Sequence, residues 1–323
     1  MKKKFAIVTG EPDSINIEII GKVWKKLKSI EKSNLFLIGN YNLIKFQFEM
    51  NKIKIPLKII NNKKSIKSNN FLHVFDVHIN FKNFDKVNKN DNRKYILKSL
   101  DLADYLAKNK YIKGFINCSI DKEKTFKSQT LGVTEYLAKK NKLKNSEVMM
   151  IYNQNLSVVP ITTHIQLKNV SKKLSSNLIY KKILNLNKYY LKIFRKKPYI
   201  GIMGLNPHNF ENRDKSEEKR IIAPAIKRLK RKKLKIIGPM PADTAFSKSN
   251  KKKLDVIVGM YHDQVLGPFK ALFGFDAINI TLGLNYVRVS PDHGTGKEIA
   301  GFGVADPSSL VQCVKFLKNF KND

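Results

Sequence analysis

Tyr199-Ile-Gly-Ile-Met203 runs without a break into Gly204-Leu-Asn-Pro-His208, and a helical pattern over Ser216–Lys230 follows. The apolar, partly β-branched run reads as a strand, the Gly-Leu-Asn-Pro turn stops it, and an imidazole stands just past its end. The same order occurs twice more. Strand Ser157–Ile161 leads into Thr162-Thr163-His164, and strand Asp255–Gly259 leads into Met260-Tyr261-His262-Asp263-Gln264 and a helix over Gln264–Phe273. Short strands alternating with helical stretches mark an α/β fold. Open α/β sheets bind ligands where loops leave the C-terminal ends of strands. Three histidines at such ends therefore point to a site rather than to core packing.

The rest of the chain keeps the alternation. Strands are expected at Phe5–Val8, Asn34–Ile38, Pro56–Ile60, Phe71–Val77, Gly114–Cys118, Glu147–Tyr152, Lys235–Ile237 and Ala277–Thr281. Helices are expected at Ile15–Ile30, Arg93–Lys108, Thr134–Lys140, Val170–Arg195 and Ser308–Phe320, the last opened by Asp306-Pro-Ser-Ser as capping chemistry. Lys82–Lys94 reads as a surface loop. The 323 residues suffice for two domains or one large α/β unit with two lobes. A second series of elements begins near Thr130, and the lobe boundary is set near 128.

Composition narrows the class. Cys118 and Cys313 form no CxxC pair and suggest no disulfide framework, which fits a reducing cytoplasm. Phe5–Val8 ends at once in Thr-Gly-Glu-Pro, too short for a signal-peptide core, and no stretch approaches the roughly 20 apolar residues of a membrane span. The expectation is a soluble protein with no membrane contact. Lys plus Arg total 62 against 26 acids, a formal charge of +36. Such a charge can signal a polyanion partner. Here it is overwhelmingly lysine, accompanied by asparagine and isoleucine, as A/T-rich codons would produce, and aromatic residues are not interleaved as stacking platforms. A solvated lysine surface with no specific nucleic acid is expected, and a field of this sign would still draw in a phosphorylated substrate. A non-catalytic polyanion-binding protein is the reading from another class.

Neutral imidazole is the commonest metal ligand. With no cysteine ligands and long spacing, His164, His208 and His262 suit a catalytic divalent-metal site with open positions, not a structural zinc; a hydrogen-bonded structural role is the alternative for each. Asp243, in Gly238-Pro-Met-Pro-Ala-Asp-Thr244, is either a helix-capping carboxylate or a proton acceptor and ligand orienter. Asp263 allows the same two readings. Arg288 is one of seven arginines in a lysine-saturated chain and sits in an apolar run, Tyr286-Val-Arg-Val289, so a planar fork for phosphate or carboxylate is indicated. Lys270 and Asn279 lie between His262 and Arg288. Gly301-Phe-Gly303 lacks a strand–turn–helix setting, and neither a GxGxxG fingerprint nor a Walker lysine loop is present.

Together these segments resemble the 4-hydroxythreonine-4-phosphate dehydrogenase family of vitamin B6 biosynthesis. The matching stretches are Thr162-Thr-His-Ile-Gln-Leu167, Gly204–His208, Gly238–Thr244, Met260–Gln264 with Pro268-Phe-Lys270, Asn279–Leu284, and Asp292-His-Gly-Thr295 through Ala305-Asp-Pro-Ser-Ser309. Thr9-Gly-Glu-Pro12 and Ile17-Glu-Ile19 extend the likeness to the start. The resemblance implies two α/β/α lobes with a central cleft, like isocitrate and isopropylmalate dehydrogenases, the first lobe formed by 1–128 plus 291–323 and the second by 129–290. It implies a homodimer with its active site at the subunit interface and His262 reaching across. It implies metal ligands His164, His208 and His262 for zinc, magnesium or cobalt, substrate contacts from Thr134, Lys270, Asn279 and Arg288, and catalytic roles for Asp243 and Lys270. His293, Gly294 and Thr295 would hold NAD. The implied reaction is oxidation of 4-phosphooxy-L-threonine to a β-keto acid that decarboxylates to 3-amino-2-oxopropyl phosphate. The chain departs from the family in having Val133 where a histidine is usual before Thr134, Asp121-Lys122 for an Asn-Lys pair, Asp13, Ser14 and Asn16 for glycines, and Asn209-Phe-Glu-Asn212 for small residues. Val133 cannot replace the histidine's hydrogen bond, so a related dehydrogenase for a different hydroxy acid is the second enzyme reading.

Overall fold

Apolar runs become parallel strands wherever both of their faces are covered. A computed structural model describes residues 4–60, 70–84, 86–127, 132–143, 146–274 and 276–320. The Lys/Asn-rich segment 61–69 and the expected starting point near Thr130 lie outside the described residues. Two compact units result, Met1–Leu137 with Asn285–Asp323, and Ala138–Leu284.

In the first unit the chain lays down β1 (Phe5–Val8), β2 (Leu35–Gly39), β3 (Leu57–Ile60), β4 (Leu72–Asp76) and β5 (Gly114–Asn117). The second unit contributes β6 (Val148–Asn153), β7 (Leu156–Pro160), β8 (Ile200–Met203), β9 (Ile236–Met240), β10 (Val256–Gly259) and β11 (Ile278–Leu282), and the chain then returns to the first unit with β12 (Val287–Pro291). The order in the first unit is β3-β4-β2-β1-β5-β12, parallel throughout. β1 and β2 are buried along their whole length, as Phe-Ala-Ile-Val and Leu-Phe-Leu-Ile-Gly require. Gly114 faces Val287 across β5 and β12, and a Cβ there would lie 2.3 Å from the Val287 carbonyl oxygen, so only glycine lets the strands close. Helix Ser308–Asn319 packs on β5 and β12, while helix Lys89–Lys108 packs on β1, β2 and β5.

The second unit runs β11-β6-β7-β10-β8-β9. β11, β6 and β7 pair antiparallel, while β7, β10, β8 and β9 pair parallel. Its core includes Met149, Ile151, Val158, Met203, Val265 and Phe269. The three parallel strands β7, β10 and β8 are neighbours, so their C-terminal ends bring the His164, His262 and His208 loops to one edge of this sheet.

Several element boundaries differ from expectation for local reasons. The helix expected over Val170–Arg195 is broken at Leu174–Ser175, where Ser175 is extended and its hydroxyl accepts from Leu178 N to start a new helix, Ser176–Phe194. Helix Ile15–Ile30 stops at Lys26 because Leu27 turns extended. The loop expected to reach Lys94 ends six residues sooner, since the Asn88 side chain caps Asn90 and Asp91 amides. Helix Tyr41–Met50, capped by Asn40, had no sequence counterpart. The helix expected from Ser216 opens as a π-helical turn, Glu218–Ile222, before the α-helix Ala223–Arg231 with its early Pro224. β9 continues past Ile237 through Gly238-Pro239; as the last strand in the order it tolerates a residue without an N–H. Among the described residues no helix is long and apolar enough to cross a membrane.

Candidate active site

The edge of the second sheet is held by side chains that tie one motif loop to the next. Buried Gln264 accepts from Met260 N (2.7 Å) and donates to the Gly204 carbonyl (2.8 Å), joining the end of β10 to the end of β8. Thr162 Oγ1 donates to the Met260 carbonyl at 2.7 Å, joining β7 to β10. Glu218 is wholly buried and accepts from Leu205 N (2.7 Å), Asn206 N (2.8 Å) and Asn206 Nδ2 (3.0 Å), which fixes the approach to His208. Burial alone would raise the pKa of that carboxyl, yet the donors from Asn206 and Leu205 hold it below the usual glutamate value. Replacing Glu218 by glutamine is expected to lower stability by about 2–3 kcal/mol, as for bonds to a charged group. Because the folded pKa is depressed, this stability is present above the unfolded glutamate pKa and fades as pH falls through the folded value. Urea midpoints of wild type and variant should therefore converge in acid; an equal gap at every pH contradicts the account.

Within one chain the rings of His164 and His262 lie 5.5 Å apart, centre to centre, tilted by 42°, so His262 meets its own chain's His164, whereas the resemblance implies a reach across to a partner subunit. Two imidazoles bound at roughly 2.1 Å in a tetrahedral arrangement hold their ring centres roughly 5 Å apart, so the pair fits a shared ion. His262 Nδ1 lies 2.8 Å from Asp263 Oδ1. A carboxylate can only accept, so Nδ1 is the donor of this bond, the usual arrangement behind a metal-binding imidazole. Asp263 thus orients the His262 ring. His208 lies in the 3-10 turn Pro207–Asn212, exposed and with positive φ. Among the described residues no group of three or more His, Cys, Asp or Glu side chains gathers as a metal site, so the structure brings together two of the three expected ligands. The nitrogen donors suit zinc or cobalt better than magnesium.

Asp243 occupies the first turn of the short helix Ala242–Ala245, exposed, where its carboxylate accepts from Thr244 N at 3.0 Å. The N-cap of that helix is Pro241, without a side-chain cap, so Asp243 is a first-turn carboxylate and not the capping residue. Lys270 sits exposed in the last turn of helix His262–Phe273. Asn279 is on β11 with its buried Oδ1 unpartnered among the described residues.

In the first unit Arg288 is 3% exposed on β12. Its Nε donates to Asn117 Oδ1 at 2.5 Å and its Nη1 to Thr134 Oγ1 at 3.4 Å. Burial pulls its pKa down to about 10, with Glu135 opposing that shift, so the guanidinium stays cationic at neutral pH. Thr134 and Arg288, paired as substrate residues from sequence, are therefore in contact. Sequence reading missed Asn117; the available signal was an asparagine ending the otherwise apolar run Gly114-Phe-Ile-Asn117. Val133 is buried at the start of helix Val133–Lys140.

The loop after β12 presents His293, Gly294 and Thr295. His293 Nδ1 lies 2.8 Å from the Gly294 carbonyl, which assigns the proton to Nδ1, and burial lowers the ring's pKa, so the imidazole is neutral with Nε2 an acceptor. That Nε2 is buried and unpartnered among the described residues, and space is open where a Gly294 Cβ would lie. An acceptor and bare backbone of this kind fit a ligand rich in hydroxyls, as a dinucleotide is. The Thr295 carbonyl accepts from Ile15 N at 2.9 Å, anchoring the loop.

Residues 31–317 match the family described as pyridoxal phosphate biosynthetic protein PdxA. The chain is 36% identical over 318 residues to a 4-hydroxythreonine-4-phosphate dehydrogenase of Sulfurihydrogenibium sp. strain YO3AOP1, covering 97% of this chain and 96% of that one. It is 33% identical over 330 residues to the protein of that name from Aquifex aeolicus, covering 99% and 98%. A crystal structure of 4-hydroxythreonine-4-phosphate dehydrogenase from Klebsiella pneumoniae superposes with a TM-score of 0.85 at 27% identity, over 98% of this chain and 99% of that one.

Proposed function

The chain belongs to the pyridoxal phosphate biosynthetic protein PdxA family, the 4-hydroxythreonine-4-phosphate dehydrogenases, and from that premise we propose that it oxidises 4-phosphooxy-L-threonine with NAD and a divalent metal. The β-keto acid formed then loses carbon dioxide to leave 3-amino-2-oxopropyl phosphate. The observation that carries the metal-dependent reading is the pairing of His164 and His262 at 5.5 Å, with Asp263 setting the tautomer. His208, on the neighbouring strand end, is the third candidate ligand.

A divalent ion on these imidazoles would supply Lewis acidity to the substrate's hydroxyl and carboxylate oxygens. NAD, held by His293, Gly294 and Thr295, would supply the hydride acceptor. The chain's own residues supply the rest. Arg288, steadied by Asn117 and Thr134, grips the phosphate or carboxylate with a charged fork. Lys270 adds a second cation for anion binding and proton transfer, and Asn279 offers an amide to substrate. Asp243 accepts the hydroxyl proton or orients a ligand, a role that competes with its bond to Thr244. We also propose a homodimer with the active site at the subunit interface, acting in the cytoplasm, where two free buried cysteines are at home.

Val133 favours a second reading with the same chemistry on a different hydroxy acid. Purified protein with NAD and each of zinc, cobalt and magnesium should form NADH from 4-phosphooxy-L-threonine, at a rate well above that with the unphosphorylated acid. Equal rates on both acids support the second reading, and no NADH with any metal refutes both.

A further inference from the structure

The motif Ile17-Glu-Ile19 has no part in the chemistry above, yet Glu18 is buried and ion-paired to Lys22. Its Oε1 accepts from Ala305 N at 2.8 Å and from Lys22 Nζ at 2.7 Å, and its Oε2 accepts from Gly303 N at 3.3 Å. Lys22 Nζ in turn donates to the Gly303 carbonyl at 2.9 Å and the Ala305 carbonyl at 2.6 Å. One carboxylate thus takes the amides of two residues while one ammonium takes their carbonyls. The turn they hold has positive φ at Gly301 and Gly303 (+85° and +73°), and its Phe302 and Val304 side chains point away, 74% and 66% exposed. Apolar contact contributes little to holding this turn. A second tether lies upstream, where Lys297 Nζ donates to Asp13 Oδ2 at 2.8 Å.

We propose that Glu18 and Lys22 are positioning residues for the cofactor: they staple the 301–305 turn to helix Asn16–Lys26 and so fix the loop that begins at His293. The inference rests on the reading of that loop as the NAD site. Two glycines give the turn its bend and also its freedom, so an unstapled turn samples other paths and nucleotide binding must then supply the ordering. Neither side chain touches the reacting atoms, so the effect falls on cofactor affinity and not on the chemical step.

The test uses the full-length enzyme carrying Glu18→Gln or Lys22→Met, with Lys22→Arg as the conservative variant. A glutamine keeps one acceptor but turns an NH2 group toward backbone donors. Each of the first two should raise the KM and Kd for NAD about tenfold, as loss of a bond to a charged group does, with kcat and the KM for the hydroxy acid within about twofold of wild type. Lys22→Arg should restore most of the affinity. Hydrogen exchange at the Gly303 and Ala305 amides should quicken in Glu18→Gln without NAD present, a readout independent of any cofactor. Faster exchange with unchanged NAD affinity overturns the inference while leaving the cofactor reading intact. Wild-type protein that binds no NAD overturns that reading instead. Unchanged exchange overturns the staple itself.

Discussion

Replacing Arg288 by lysine is expected to lower kcat/KM for the phosphorylated hydroxy acid by roughly 10²–10³, the cost of disrupting a buried, hydrogen-bonded charge site. Lysine keeps the charge but has no Nε to give Asn117 Oδ1 while other donors reach Thr134. Asn117 Oδ1 would lose its donor inside a buried site, so the variant also loses stability by about 1–3 kcal/mol. The kinetic effect must exceed what instability explains. The unphosphorylated acid should suffer less than the phosphorylated one if the fork holds phosphate, and both should suffer alike if it holds carboxylate. Activity within threefold of wild type on both acids would remove Arg288 from the site.

The second large effect concerns the imidazole pair. His164→Ala and His262→Ala should each lower kcat by at least roughly 10³, since a Lewis acid held by the pair, as proposed, would supply several kcal/mol of transition-state stabilisation. Each should also lower bound zinc or cobalt in dialysed protein, measured by metal analysis. If the two rings act on one ion, the double variant should be no worse than either single one. Chelation of wild type should reproduce the loss, and added zinc or cobalt should reverse it in wild type alone. Asp263→Asn is the milder companion: it removes the carboxylate that sets the His262 tautomer and should weaken metal affinity about 10–100-fold. Full metal content in either alanine variant would sink the shared-ion account.

Much of this was legible from local pattern. The strands that end at His164, His208 and His262 announce themselves by apolar runs meeting turn residues, and the helices between them point to the parallel pairing seen for β7, β10 and β8. Arg288 stood out because arginine is scarce in a lysine-saturated chain. Its partner Asn117 did not, because 171 positions separate them and no periodicity links two residues that meet only across adjacent strands. Glu18 and Lys22 stand four residues apart on one helix; that they hold a turn more than 280 residues further on is a tertiary fact. The break at Ser175 and the early cap at Asn88 were hidden for the opposite reason. Each is a side chain competing locally with helix hydrogen bonds, at a place where the apolar pattern runs on.

The return of β12 to the side of β5 has a consequence during synthesis. At 5–20 residues per second a ribosome releases Asn117 roughly 10–30 s before Arg288 arrives. Through that interval β5 ends its sheet with unclaimed amides and carbonyls, the template on which stray chains add. A nascent polypeptide this basic repels its own copies, so the cationic surplus opposes such additions until the last strand seals the margin.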